Sequence, residues 1–118
     1  MINRNMSTKV YLAAGNTDMR KSFNGLTAII QECFNLDLFG ESIFVFCNKS
    51  KNRIKILQWD NNGFWLHYKR LEKGIFKWPE KIRNDTLEIS DRQLGWLLDG
   101  LSINQSEAHK KINIKKVV

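Results

Sequence analysis

Two histidines, two cysteines and twelve carboxylates are the side chains with which this 118-residue chain could do acid–base, nucleophilic or metal chemistry. His67 falls in a strand-like stretch and His109 near the C-terminus. Neither lies in a recognisable nucleophile motif or at metal-ligand spacing from a second donor, and no glycine-rich phosphate loop is present. Asp18, Asp60 and Glu72 could gather around a metal, but each has a nearer explanation: a helix cap, a hairpin turn, and a surface charge beside Arg70 and Lys73. Cys33 and Cys47 are too few for a zinc site or a disulfide framework. Lying in apolar runs, they read as two buried, reduced thiols. The chain is therefore expected to catalyse nothing by itself and to use no metal or cofactor.

Charge is the stronger signal. The formal net charge is +7. Residues 49–83 hold ten basic and three acidic residues, and the segments on either side are each balanced, so the whole excess sits in 35 residues. A positive field concentrated in this way attracts polyanions, of which nucleic acid is the commonest. Trp59, Phe64, Trp65, Tyr68, Phe76 and Trp78 interleave the cations. Cations neutralise phosphates and release counterions, and exposed aromatics can stack on bases.

The elements that must position these groups follow from periodicity. Length and composition fit a single ordered domain. Residues 1–101 are expected to form it, with 102–118 a basic, mobile tail. Lys9–Ala13 reads as a strand. Thr17 or Asp18 is placed to cap a helix, whose apolar stripe is Phe23, Leu26, Ile29, Ile30 and Cys33. Ser42–Cys47 is a continuous apolar run, the pattern of a strand buried on both faces. Arg53–Ile56 alternates, Asp60-Asn61-Asn62-Gly63 signals a hairpin, and Phe64–Leu71 returns. Ile75–Trp78 reads as a further short strand ended by Pro79, and Thr86–Ile89 as another. Ser90 and Gln93 form a capping box ahead of a helix bearing Leu94, Trp96, Leu97, Leu98 and Leu101, with Gly100 as its stop. The expected fold is α+β: a largely antiparallel meander of four to six strands packed with two helices, in the order β-α-β-β-β-β-(β)-α.

Loop length decides which cations share a face. A two- or four-residue connection across the hairpin puts Arg53, Lys55, Leu57 and Trp59 on the side of Phe64, Leu66, Tyr68 and Arg70; a three-residue loop or a bulge swaps the faces. Arg20 and Lys21, at the expected helix entry, stand at the unfavourable end of the helix dipole, a mild pointer to anion binding. The aromatics are for the most part expected in the core.

The stretch Leu12-Ala13-Ala14-Gly15-Asn16-Thr17-Asp18-Met19-Arg20-Lys21-Ser22-Phe23-Asn24-Gly25-Leu26 resembles the "LAxGxTDMRKGFDGL" signature of TnpB-type accessory proteins of insertion sequences, those of the insertion-sequence-sixty-six group. Ile43-Phe44-Val45-Phe46 is similar to "LFVF", Arg53 to Gly63 to "RIKILxWDxxG", and Phe64 to Pro79 to "FxLxYKRLExGxFxWP". Ser22 and Asn24 depart from the pattern, which has Gly and Asp there. The likeness runs in consistent order from about Lys9 to Leu101. It implies a role in transposition beside a separate, larger transposase.

Charge and resemblance together predict a non-catalytic accessory protein that binds DNA, at element ends or without sequence preference, through Arg20, Lys21, Arg53, Lys55, Lys69, Arg70 and Lys77. The alternative is an adaptor that docks on the transposase or other proteins of the element through an aromatic patch at Trp65, Trp78 or Trp96. No apolar run has the length of a membrane span and no signal-peptide core follows Met1, so a cytoplasmic location without membrane contact is expected.

Overall fold

In the computed structural model, Arg4 and residues 7–105 are described. Five strands form one sheet in the order β4-β3-β2-β1-β5. They are β1 (Lys9–Ala13), β2 (Ser42–Cys47), β3 (Arg53–Asp60), β4 (Gly63–Arg70) and β5 (Thr86–Ile89). The α1 helix (Phe23–Ala28) continues as a π-helical segment, Ile29–Phe34, and α2 spans Asp91–Leu98. The class is α+β, as expected. One pairing departs from a meander: β1 and β2 are parallel, joined by the α1 crossover, whereas β1–β5, β2–β3 and β3–β4 are antiparallel. A parallel pair needs such a crossover, because a tight hairpin reverses direction.

The sheet is covered on both faces, which explains the unbroken apolar run of β2. Ile43, Val45 and Cys47 join Val10, Leu12, Ile54, Ile56, Ile89, Leu94 and Leu97 on the α2 face. Phe44 and Phe46 join Ala13, Leu26, Ile30, Leu38 and Leu57 on the α1 face. Ser90 caps α2 with the full reciprocal box: its hydroxyl accepts the Gln93 N–H at 3.1 Å, and Gln93 Oε1 accepts the Ser90 N–H at 2.9 Å. Gly100, at φ +82°, follows the helix end in the left-handed region that favours glycine.

Four expectations need correction. The segment Ile75–Trp78 is not a strand. Its backbone donates from Phe76 to Lys51 O, but the segment joins no ladder, and its Phe76 and Trp78 side chains plug the α2-face core instead. The α1 helix begins at Phe23 with Ser22 as N-cap, not at Thr17 or Asp18. Asp18 Oδ1 accepts the Arg20 N–H at 2.9 Å, a local turn that competes with helix initiation. Arg20 and Lys21 therefore precede the helix, and the dipole argument made for them lapses.

Cys33 is exposed rather than buried. The π-segment makes i→i+5 bonds, so its turns are wider than an α-helix's. The apolar stripe slips, and Phe34 replaces Cys33 at the core, stacked on Phe46 at 6.2 Å. Cys47 is buried, which pushes its thiol up to about 11. Thiolate is the reactive form. A thiol reagent at pH 8 is thus expected to modify one cysteine in the folded protein and both after denaturation, as counted by mass spectrometry.

Ser102 and Ile103 remain against the body. Gln93 Nε2 donates to Ile103 O at 3.2 Å, and Ile103 packs on the α2-face core. The rest of the expected tail, residues 106–118 with its lysine pairs and His109, lies outside the described residues.

Candidate functional site

A cleft of about 750 Å³ opens at the carboxyl ends of β1 and β2. Sheets with parallel β–α–β units bind ligands at this place, because the loops leaving the strands diverge there. One wall is the β1–α1 loop with Asn16, Thr17, Asp18, Met19 and Arg20; another is the β2–β3 loop with Asn48, Lys49 and Ser50. Arg53, Lys55 and Tyr68 project from the sheet between them.

Each wall is fixed by its own hydrogen bonds. The Thr17 N–H donates to Cys47 O at 2.7 Å, tying the first loop to the end of β2. Asn48 Oδ1 accepts the backbone N–H groups of Asn52 and Arg53, both at 3.0 Å. Its amide donates to Asn52 Oδ1 at 2.8 Å. Asn48 thus shapes the loop that presents Lys49. Lys55 Nζ donates to Met19 O at 2.7 Å and Lys21 O at 2.9 Å. It clamps the β1–α1 loop against the sheet while its charge stays beside the cleft.

The hairpin settles the shared face. Asp60 pairs with Gly63, a two-residue connection, and Arg53 faces Arg70 while Lys55 faces Tyr68. Arg53 Nε is buried and makes no hydrogen bond among the described residues. A buried donor of this kind is costly to leave unpaired. The Arg20 guanidinium is held by Asp18 through Nε at 3.0 Å and Nη2 at 2.8 Å, yet its side chain is 92% exposed.

That pairing holds the Asp18 carboxyl down to about 2, through the Arg20 side-chain bond first and the Arg20 backbone N–H second. A depressed carboxylate stabilises the fold above its ordinary value of 3.8, and the contribution is lost as pH falls toward about 2. A carboxyl-carbon NMR titration is expected to show this midpoint, and Arg20→Ala to return it toward 3.8.

Of the seven cations singled out in the sequence, Arg20, Arg53 and Lys55 line this cleft. The Lys21 backbone adjoins it through the Lys55 bond, and Arg70 lies on the same face, opposite Arg53, in an exposed pair with Glu72 at 3.3 Å. Lys69 and Lys77 do not join them. Lys69 belongs to the opposite face, where its ammonium donates to Leu98 O at 2.7 Å and closes the C-terminus of α2. Lys77 lines a separate cavity of about 330 Å³ with Lys51 and Glu80. Lys49, Asn48 and Asn16 were not singled out. The polar turn at Asn48–Asn52 was visible, but only the parallel β1–β2 pairing brings it beside Arg20.

The tryptophans divide as well. Trp78 is buried, its indole N–H donated to Ala13 O at 3.1 Å, so it cannot present the docking surface expected of it. Trp96 is half-buried in α2. Trp65 is 52% exposed on β4, stacked on His67 and donating to Asp60 Oδ2 at 2.8 Å. Among the described residues no group of three His, Cys, Asp or Glu side chains is placed to hold a metal, and no helix is long and apolar enough to cross a membrane.

Comparison with known proteins gives a consistent result. The family described as IS66 Orf2 like protein matches residues 8–108. The uncharacterized protein y4hO of Sinorhizobium fredii is 35% identical over 101 residues, covering 86% of this chain and 87% of its own. A second protein of that organism, the uncharacterized y4jC, is 31% identical over 101 residues, covering 86% of each. No solved structure matches the chain.

Proposed function

The chain belongs to the IS66 Orf2-like family, and from that premise we propose that it is a non-catalytic accessory protein of transposition that binds DNA in the cytoplasm, beside the element's transposase. The observation that carries this is the convergence of Arg20, Lys49, Arg53 and Lys55 on one cleft. Two chain segments far apart in sequence supply these cations, the β1–α1 loop giving Arg20 and residues 49–55 giving the other three. Only Asp18 among the cleft-lining residues is acidic, and it is already engaged by Arg20. Phosphate oxygens are the natural partners for guanidinium groups held in this way.

Fluorescence anisotropy with labelled DNA across a salt series tests it. Affinity is expected to fall linearly with salt on logarithmic axes. Arg53→Ala should weaken binding and flatten the slope, while Lys77→Ala, outside the cleft, should change little. Absence of binding to any DNA at low salt, the element's ends included, would remove the proposal.

One observation favours a second role. Strand β4 is a sheet edge whose Trp65 and Leu66 are exposed and do not line the cleft. Such an edge can take part in docking on a protein of the same element. Co-purification with the transposase that survives nuclease and high salt, and is lost in Trp65→Ala, supports that role; loss of the wild-type complex on nuclease treatment counts against it.

A further inference from the structure

We infer that the cleft holds one unpaired nucleotide of single-stranded DNA, its phosphate against Arg53 and Lys49 and its base on the Tyr68 ring, an assignment that rests on the cleft being a DNA site at all. Tyr68 is 54% exposed, far more than packing requires, yet it lines the concavity rather than an outer surface. Its register fixes it there. Lys55 is its direct ladder partner, and Arg53 lies diagonally across, facing Arg70 two positions along. Diagonal neighbours in such a ladder stand about 7–8 Å apart, a spacing that one nucleotide bridges from phosphate to base. Arg53 and Lys49 both line the cleft and supply the cations for the phosphate end.

Concavity selects the strand state. A duplex stacks its bases inward and offers only phosphates and groove edges, which are read by protruding helices or ribbons. An aromatic face inside a cleft has nothing to stack on in a duplex. An unpaired base does present its face, and cations beside aromatics are the common arrangement for single strands. The volume of about 750 Å³ is in the range that takes a small ligand the size of one nucleotide.

The test uses full-length protein, a labelled oligothymidylate of about a dozen residues, the same strand with abasic sites, and a duplex of equal length. Tyr68→Ala is expected to weaken oligothymidylate binding roughly 5- to 150-fold, the range for losing one stacked base. It should leave duplex and abasic affinities within about twofold. Tyr68→Phe keeps the ring and should bind like the wild type, which separates stacking from any effect on folding. An equal loss on all three probes, or none on any while Arg53→Ala still weakens binding, overturns the nucleotide pocket and leaves the DNA site standing. Wild-type protein that binds none of the three overturns both.

Discussion

Replacing Trp78 with Ala is expected to lower the unfolding free energy by about 3–5 kcal/mol, the range for removing a large buried aromatic. Trp78 is 6% exposed and packs in the α2-face core. Leu71 to Asp85 contains no helix or strand, so its attachment rests on few anchors. Phe76 and Trp78 are the two buried ones, and Trp78 also donates to Ala13 O at the end of β1. Truncation removes the ring and the bond together. A native domain has about 5–15 kcal/mol in total, so the midpoint of thermal unfolding should drop by roughly 12–25 °C. Trp78→Phe should recover most of the packing but not the hydrogen bond, leaving a deficit of about 1–3 kcal/mol. Urea denaturation followed by circular dichroism measures both. A loss under about 1 kcal/mol for the alanine variant would show that the segment is held by something other than this residue.

The reason Trp78 misleads in the sequence separates what was legible from what was not. Signals carried by adjacent residues held: the Ser90–Gln93 box, the Asp60–Gly63 hairpin, the doubly buried β2 run. Ile75-Phe76-Lys77-Trp78 also alternates, but alternation reports only that every second side chain is buried, not that the backbone finds a ladder. Cys33 misled because a π-segment changes the period on which the apolar stripe was counted. The same distinction governs the site. Once the connection proved to be two residues long, Arg53, Lys55, Tyr68 and Arg70 fell on one face, as the pattern allowed. Lys69, one residue from both Tyr68 and Arg70, fell on the other. The excess charge of residues 49–83 was thus visible as a sum, but its division between two faces depends on a period of two. Arg20 and Lys49 meet only because β1 and β2 run parallel, a long-range pairing that no local pattern encodes.

That division permits a sharper experiment than removing single cations. Combining Arg20→Ala, Lys49→Ala and Arg53→Ala is expected to reduce the slope of log affinity against log salt by about two units, at roughly 0.7 per phosphate contact on single strands. Affinity at low salt should fall on the order of a hundredfold, taking about 1 kcal/mol for each partly screened contact. Losing Arg20 also uncovers the Asp18 carboxylate inside the cleft, which adds repulsion toward phosphate. The matched variant, Lys77→Ala with Lys81→Ala and Arg92→Ala, removes the same charge from exposed positions that do not line the cleft. If net charge alone attracts DNA, the two triple variants should lose affinity and slope alike. If the cleft is the site, the first should lose most of its binding and the second little, because a charge beyond about one Debye length, about 8–10 Å at ordinary salt, is largely screened from the phosphate. Equal losses would therefore reduce the cleft to an accident of loop packing, and with it the roles assigned to Arg53 and Tyr68.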